Sequence, residues 1–156
     1  MRTPAETSTV DLPDEAATAA LAARVAALLR PGDVVALRGD LGAGKTAFSR
    51  AAIRALSGDP EEEVPSPTFT LVQTYDLPDF TLWHFDLYRL RGPEEVPELG
   101  WDEARDGGVA LVEWPDRLGR LMPADRLEVA LTIRGDGARR AELTGHGAWA
   151  GRLESL

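Results

Sequence analysis

The stretch Gly39-Asp40-Leu41-Gly42-Ala43-Gly44-Lys45-Thr46 decides how this chain folds. It has the pattern Gly-x-x-x-x-Gly-Lys-Thr, in which backbone N–H groups hold phosphate oxygens and the lysine reaches the β and γ phosphates of a nucleotide. Lys45 is the only lysine, and the other sixteen of the 17 basic residues are arginines. A compact ammonium on a flexible stem thus occurs only where this motif needs one. The stretch predicts a phosphate-binding loop.

The residues on either side of this loop fit the same interpretation. Residues 33–38 form a short apolar run that opens after Pro31-Gly32, which is typical of a buried strand. Residues 47–56 are rich in helix formers and end at Ser57-Gly58. Strand, glycine loop and helix is the context the motif requires, because the helix N-terminus adds a partial positive charge at the phosphate position.

The rest of the chain alternates between helical and strand-like patterns. We expect an amphipathic helix at 13–29 with Pro13 in its first turn, a strand hairpin at 69–75 and 80–87, helical turns at 92–105, a buried strand at 109–112, and a second hairpin at 127–133 and 138–143. The chain has 156 residues, which suits one domain. The predicted fold is α/β: a single three-layer P-loop NTPase-like domain at 1–156, with a mixed central sheet flanked by helices.

Composition limits the classes of function. Cysteine is absent, which excludes disulfides and thiolate zinc sites. No apolar stretch approaches membrane-spanning length, and the first residues lack the features of a signal peptide. The net charge of −9 argues against independent tight binding of nucleic acid. We therefore expect a cytoplasmic protein, without a membrane role, that meets any nucleic acid indirectly through a partner.

Hydrolysis or transfer of phosphate also requires Mg²⁺. The Thr46 hydroxyl is the usual first protein contact, and the second is normally a carboxylate at the carboxyl end of a buried strand beside the loop. Glu113 directly follows the apolar run at 109–112, and Asp86 ends the alternating segment at 81–85. Strand ends are where ligand sites lie in α/β sheets, so either carboxylate fits.

Two further segments have open interpretations. The proline-marked segment 64–70 presents the hydroxyls of Ser66, Thr68 and Thr70, and is either a loop that senses the γ-phosphate or an ordinary connection. His84 is more typical of a structural hydrogen-bonding residue than of a catalytic base. His146 is expected in a glycine-rich turn that faces solvent.

The identity of the base follows from a missing residue type. Many GTPases read guanine with an Asn-Lys-x-Asp motif, but this chain contains no asparagine and its one lysine lies in the phosphate loop. GTP specificity of that kind is excluded, and the expected cofactors are ATP and Mg²⁺.

Together these motifs resemble a known family. The segments are Gly-Asp-Leu-Gly-Ala-Gly-Lys-Thr at 39–46, Ser-Pro-Thr-Phe-Thr-Leu-Val at 66–72, His-Phe-Asp-Leu-Tyr-Arg-Leu at 84–90, Leu-Val-Glu-Trp-Pro at 111–115 and Leu-Pro-Asp-Glu at 12–15. They are similar to those of the TsaE (YjeE) family, small bacterial ATPases required for N6-threonylcarbamoyladenosine (t6A) formation at position 37 of tRNAs that read ANN codons. The resemblance runs from about Leu12 to Ile133, and nothing from Arg134 onward matches.

The resemblance implies a partner and a role for each matched residue. A TsaE protein is a weak ATPase alone, and it acts on a TsaD–TsaB complex to support multiple turnovers. The implied phosphate contacts are Lys45 and the backbone of Leu41, Gly42, Ala43, Gly44, Lys45 and Thr46. Thr46 and Glu113 would contact Mg²⁺, and Asp86 would be a catalytic carboxylate near the γ-phosphate. Thr68 would lie in a switch-like loop, Asp14 near the nucleoside and Trp114 close to the site.

Two other classes share the same loop. A small-molecule kinase would need an acceptor pocket and usually an arginine-bearing lid, and Arg117 and Arg120 could be misread as such a lid. A nucleotide-gated interaction module would bind ATP and barely hydrolyse it. Phosphorylation of a metabolite without a partner would indicate the kinase, and loss of hydrolysis without loss of function would indicate the module.

Overall fold

The computed structural model describes residues 6–156, which form a seven-stranded mixed sheet with helices on both faces. The strands are β1 (Glu6–Leu12), β2 (Val34–Arg38), β3 (Val72–Asp76), β4 (Thr81–Asp86), β5 (Val109–Glu113), β6 (Arg126–Ile133) and β7 (Arg139–His146). The helices are α1 (Glu15–Leu28), α2 (Lys45–Ser57), α3 (Trp101–Arg105) and α4 (Ala148–Arg152), with 3-10 segments at Pro93–Leu99, Pro115–Leu121, Gly135–Gly137 and Leu153–Ser155. Within residues 6–156, no helix is both long enough and apolar enough to cross a membrane.

Alternating side chains of the buried strands build a separate core on each face of the sheet. On β2, Val35 and Leu37 pack in one core with residues of α1 and α2, whereas Val34 packs in the other with residues of α3. Successive strand residues point to opposite faces, so a continuous apolar strand supplies both cores. Helix, sheet and helix therefore form three layers, which confirms the predicted α/β class.

Three neighbouring parallel strands end side by side, so their carboxyl ends lie together at one end of the sheet. The order is β1-β7-β6-β2-β5-β4-β3. β2 runs parallel to β5, and β5 runs parallel to β4. In this register Leu37 lies opposite Glu113, and Glu113 lies opposite Asp86. The two candidate carboxylates are therefore adjacent, at the edge where the phosphate loop leaves β2.

Helix α1 begins later than the sequence pattern predicted. Asp14 is its N-cap and accepts a 2.9 Å hydrogen bond from the backbone N of Ala17, so Pro13 precedes the helix and does not lie in its first turn. An Asp at this position satisfies one of the N–H groups that the first turn leaves unpaired. Leu21 and Val25 are fully buried against the sheet.

At the two edges of the sheet, one strand was not predicted and the start of another was misplaced. β1 was not predicted, because its polar residues alternate without an apolar run and only Leu12 is buried. The strand expected at 69–75 begins at Val72, because the backbone N of Leu71 donates to the carbonyl O of Pro67 at 2.7 Å and closes a turn. Leu71 adopts a φ of 71°, which ends extended structure on its N-terminal side.

The C-terminal hairpin continues into a helix that the sequence did not reveal. β7 extends to His146, and α4 then places the fully buried Trp149 against the core that α1 and α2 share. The prediction that His146 lies in a solvent-facing turn was wrong. It ends β7, and its Nε2 lies 3.9 Å from Oε2 of Glu128 with 27% of the side chain exposed.

Candidate nucleotide-binding site

A cavity of about 230 Å³ opens at the carboxyl edge of β2, β4 and β5. Its lining residues come from the phosphate loop, the start of α2, the segment before β3 and the ends of β4 and β5: Leu41, Gly42, Gly44, Lys45, Thr46, Ala47, Thr68, Asp86, Glu113 and Trp114. Every residue proposed from the sequence is here except Ala43, which is buried within the loop, and Asp14, which caps α1. Residues distant in sequence are thus brought to one cavity.

Two glycines of the loop, Gly39 and Gly44, adopt backbone conformations that are unfavourable for other residues. Gly39 has a φ of 148°, and a Cβ on it would lie 2.7 Å from the backbone O of Leu131 on β6. Gly44, with a φ of 107°, is the N-cap of α2 and offers no side chain to its first turn. The N–H groups of that turn therefore have no capping side chain, and they face the site with the positive end of the helix dipole.

Lys45 is held inside the loop by contacts with its own neighbours. Its Nζ donates to the carbonyl oxygens of Gly39 at 2.5 Å and Asp40 at 3.0 Å, and lies 4.1 Å from the ring centroid of Trp114. Only 5% of the residue is exposed. Burial lowers the pKa of Lys45 below its usual value, although the charges of Glu113, Asp86 and Asp40 act in the opposite direction.

Thr46 and Glu113 meet across the cavity. Oγ1 of Thr46 donates to Oε1 of Glu113 at 3.0 Å and lies 3.3 Å from Oε2. The same carboxylate lies 2.6 Å from Nε2 of the fully buried His84, and because a carboxylate only accepts, this nitrogen is the donor. A hydroxyl and a buried carboxylate side by side offer the hard oxygen ligands that Mg²⁺ prefers.

Asp86 has a different environment at the end of the adjacent strand. Its Oδ2 accepts from the hydroxyl of Thr68 at 3.2 Å, and its Oδ1 accepts from the backbone N of Tyr88 at 3.1 Å. Ser66 and Thr68 share a 2.8 Å hydrogen bond in the same proline-marked segment. Of the two carboxylates left open as magnesium contacts, Glu113 therefore lies with Thr46 and Asp86 lies with the candidate switch segment.

Trp114 closes one side of the cavity in an unusual backbone conformation. Its φ of 59° and ψ of 55° are left-handed, and a residue other than glycine adopts this region at a cost of about 1–3 kcal/mol. The ring lies 4.8 Å from that of Tyr88. The strained turn points the indole at Lys45 directly after Glu113 ends β5.

Among residues 6–156, no group of three or more His, Cys, Asp or Glu side chains could hold a metal by itself. A cation here would need oxygens from elsewhere, which nucleotide phosphates provide. Arg117 and Arg120 do not line the cavity, and Arg120 instead borders a groove with Pro93 and Pro97. Neither arginine of the kinase alternative therefore contacts this cavity in the structure.

Sequence reasoning missed two contacts of the site. His84 and Asp86 are two residues apart on one strand and therefore share a face. Because Glu113 lies opposite Asp86 on β5, His84 is within reach of the Glu113 carboxylate. Arg139, on β7, donates to the carbonyl oxygens of Gly42 and Ala43 in the phosphate loop. No local pattern marks this arginine, because only the strand order brings β7 near the loop.

A glycine loop between β2 and α2, with carboxylates at the ends of β4 and β5, defines a P-loop NTPase-like α/β domain. A sequence profile described as threonylcarbamoyl adenosine biosynthesis protein TsaE matches residues 12–141. The chain therefore belongs to the TsaE family, whose role lies in t6A biosynthesis on tRNA. The match extends beyond the resemblance noted above and includes the start of β7.

Individual relatives agree with this assignment. A protein named tRNA threonylcarbamoyladenosine biosynthesis protein TsaE from Rickettsia bellii (strain RML369-C) is 44% identical over 133 residues, which is 85% of this chain and 92% of the relative. A protein of the same name from Bacillus subtilis (strain 168) is 40% identical over 131 residues, or 83% of this chain and 80% of the relative. The crystal structure of YdiB from Bacillus subtilis superimposes with a TM-score of 0.78 at 30% identity, covering 97% of this chain and 93% of YdiB.

Proposed function

We propose that this protein binds and hydrolyses Mg-ATP, and that it acts on a TsaD–TsaB complex to support multiple turnovers of t6A formation at position 37 of tRNAs that read ANN codons. One observation carries the proposal: Oγ1 of Thr46 lies 3.0 Å from Oε1 of Glu113, directly after Lys45 at the N-terminus of α2. A hydroxyl, a carboxylate, an ammonium and a helix N-terminus around one cavity support the binding of a magnesium-bound nucleotide.

In this proposal Thr46 and Glu113 hold the magnesium ion, which supplies neutralising charge to the phosphates. Two protein ligands suffice, because Mg²⁺ commonly keeps several waters and takes further oxygens from the substrate. Asp86 accepts from Thr68 and not from Thr46, and its carboxylate would orient the attacking water near the γ-phosphate. Thr68, bonded to Asp86 at 3.2 Å, would orient that carboxylate from the switch-like segment.

Lys45 would exchange partners when nucleotide binds. The carbonyls of Gly39 and Asp40 satisfy its ammonium group in the structure described here. Phosphate oxygens carry more negative charge than carbonyls and bind an ammonium more strongly. The backbone N–H groups of the loop would hold the remaining phosphate oxygens, and Trp114 would border them.

The nucleoside end has room beside the loop. A second cavity of about 360 Å³ shares the lining residue Ala47 with the first and lies between α1 and α2, lined by Glu15, Thr18, Ala19, Ala47, Arg50, Ala51, Arg54 and Pro60. We assign the adenosine moiety to it. Asp14 precedes Glu15 directly, so its proposed position near the nucleoside is compatible with this cavity.

Exposed apolar side chains near the cavity support a protein partner there. Leu41 is 65% exposed, Phe69 82% and Tyr88 42%. Leu41 lines the cavity, Phe69 follows Thr68, and Tyr88 contacts Trp114. Large apolar side chains exposed beside a functional site are compatible with a protein interface there. With a net charge of −9, the protein would meet tRNA indirectly through TsaD–TsaB. The proposed setting is the cytoplasm, where ATP and tRNA both occur.

The test is an ATPase assay with the chain alone, with TsaD–TsaB, and with TsaD–TsaB plus tRNA. We expect slow hydrolysis by the chain alone and faster hydrolysis with the partner complex. Lys45→Ala should abolish nucleotide binding by calorimetry, whereas Arg140→Ala, which removes only an exposed ion pair with Asp11, should bind as the wild type does. Undiminished ATP affinity in Lys45→Ala, or a vigorous ATPase indifferent to both partners, would contradict the proposal.

A further inference from the structure

The C-terminal hairpin contributes one side chain to the phosphate loop. Arg139, the first residue of β7, donates from Nε to the carbonyl O of Ala43 at 3.2 Å and from Nη2 to that of Gly42 at 3.1 Å. A guanidinium holds its N–H groups in a rigid planar fork. Two bonds from this fork to consecutive carbonyls therefore fix the orientation of two consecutive peptide planes.

The guanidinium is itself fixed from the other side. Its Nη1 donates to the carbonyl oxygens of Gly137 at 2.8 Å and Ala138 at 3.2 Å, in the turn between β6 and β7. Arg139 therefore makes four hydrogen bonds to backbone oxygens and joins this turn to the phosphate loop. An arginine held in this way has lost the side-chain freedom of an ordinary surface arginine.

The orientation of those peptides decides where the loop N–H groups point. The described peptide bonds are trans, so each carbonyl and the N–H of the same peptide point in opposite directions. The carbonyl of Ala43 shares its peptide with the N–H of Gly44, a residue that lines the cavity. Because Arg139 holds this carbonyl on the hairpin side, the Gly44 N–H is directed away from the hairpin.

The other peptide that Arg139 holds, between Gly42 and Ala43, closes the turn of the loop. The carbonyl of Gly42 shares its peptide with the N–H of Ala43, which donates to the carbonyl O of Asp40 at 3.0 Å and closes the turn of the loop. Arg139 thus supports both the turn and the donor beyond it. Hydrogen bonds in series polarise one another, so a cation on a carbonyl strengthens the N–H of the same peptide as a donor.

The charge of Arg139 also remains available to the site. Within residues 6–156 its guanidinium forms no ion pair with a carboxylate, unlike those of Arg38, Arg126, Arg140 and Arg152. A positive charge without a paired carboxylate next to the loop favours a polyanion there, although the chain as a whole carries a net charge of −9.

We infer that Arg139 is a positioning residue for the nucleotide: it holds the Gly42 and Ala43 peptides so that the loop is ready to bind phosphate, without itself touching the nucleotide. This inference rests on the proposed function, because it requires a nucleotide in the loop. It also assigns a role to a residue of the segment from Arg134 onward, for which the sequence motifs indicated none.

The test compares the full-length wild type with Arg139→Ala, Arg139→Lys and Arg140→Ala by calorimetric titration with Mg-ATP and with ADP. Loss of two hydrogen bonds that organise the loop should raise the Kd about tenfold or more in Arg139→Ala. Arg139→Lys should show most of the same loss, because an ammonium has three donors on one atom and cannot reproduce the four bonds that the planar guanidinium makes to the loop and the hairpin turn together. Arg140→Ala, on the adjacent residue of the same strand, should stay within about twofold of the wild type.

Two further measurements separate positioning from mere support of the fold. In the assay with TsaD–TsaB, Arg139→Ala should raise the KM for ATP and leave kcat within about twofold, because the residue organises binding and touches no reacting atom. The nucleotide-free variant should still unfold in one cooperative transition, with a melting temperature lowered by no more than about 10 °C for the four lost hydrogen bonds.

Each contrary outcome has a distinct meaning. A wild-type Kd in Arg139→Ala, even with a lowered melting temperature, would reduce Arg139 to a structural contact. A wild-type Kd in Arg139→Lys would show that charge alone matters and would overturn the positioning role. If Arg139→Ala does not fold, Arg139→Lys decides, because it keeps the aliphatic stem. Failure of the wild type to bind either nucleotide would instead contradict the proposed function.

Discussion

Nε2 of His84 lies 2.6 Å from Oε2 of Glu113, and neither side chain is more than 3% exposed. Glu113 also accepts from Thr46, so two donors from different elements orient one carboxylate. A group that donates a hydrogen bond to a metal ligand fixes the orientation of that ligand, and its mutation typically lowers metal affinity about 10–100-fold. His84 is therefore expected to act through Glu113.

The first prediction follows from this bond. His84→Leu leaves a buried carboxylate without one donor and should destabilise the fold by about 2 kcal/mol, as for other hydrogen bonds to charged groups. It should also raise the Mg²⁺ concentration needed for half-maximal ATPase activity with TsaD–TsaB. His84→Gln keeps an N–H donor and should recover much of the magnesium dependence. Equal magnesium curves for His84→Leu and the wild type would show that His84 only fills space.

Trp114 should report nucleotide binding. Its ring lies 4.1 Å from Nζ of Lys45, a partner that is expected to move to the phosphates. We predict a change in tryptophan emission when ADP or Mg-ATP is added. The chain has four tryptophans, so the source must be assigned. The change should disappear in Trp114→Phe and persist in Trp83→Phe, and its persistence in Trp114→Phe would contradict the prediction that Trp114 reports nucleotide binding.

Gly39→Ala should damage the loop. Its Cβ would lie 2.7 Å from the backbone O of Leu131, and a φ of 148° is unfavourable for alanine. We expect a loss of about 2 kcal/mol in the free energy of unfolding, measured with urea, together with weaker nucleotide binding. Gly135→Ala is the matched control, because its Cβ would meet no atom within 4 Å and its φ is not strained. Similar losses in the two variants would contradict the steric argument.

Glu128 makes stability depend on pH. Burial acts to raise the pKa of Glu128, but hydrogen bonds from Arg126 and Arg38, with the charges of both arginines, lower it below its usual value. A carboxyl whose folded-state pKa is lowered contributes stability above its unfolded pKa and loses it as pH falls through the folded pKa.

Glu128→Gln should therefore cost about 1 kcal/mol at pH 7, and this difference should shrink as pH falls below the unfolded value of about 4.3. Urea unfolding of Glu128→Gln and the wild type, at pH 7 and again below the unfolded pKa, measures this difference in the free energy of unfolding. Glu142→Gln, at an exposed position on the neighbouring strand, should change stability little at either pH. A difference between Glu128→Gln and the wild type that stays constant down to low pH would contradict the lowered pKa.

The sequence predicted the centre of the fold better than its edges. β2, α2 and β5 were foreseen, because continuous apolar runs and the glycine motif mark them locally. β1 was missed, because an edge strand that buries only Leu12 needs no apolar pattern and depends on pairing with β7. The start of β3 was misplaced, because the turn at Leu71 depends on a bond to Pro67.

In the candidate site, too, residues marked by local motifs could be predicted, whereas contacts that depend on the strand order could not. Lys45, Thr46, Asp86 and Glu113 could be named from motifs, because each lies in the loop or at a strand end. The choice between Asp86 and Glu113 as neighbour of Thr46 required the register of β2, β5 and β4. Arg139 could not be found, because its contact with the loop spans 96 residues of sequence.

The most direct test of the central claim counts the t6A formed per TsaD–TsaB complex over time, with wild-type protein or with Asp86→Asn. ATP binding by both proteins is first measured by calorimetry, to establish that the variant keeps its affinity. The wild type should support many rounds of modification. Asp86→Asn should bind ATP, fail to hydrolyse it, and leave product at about one t6A per complex. Sustained turnover at the wild-type rate by a variant that binds ATP without hydrolysing it would contradict a hydrolysis-driven cycle and indicate a nucleotide-gated module.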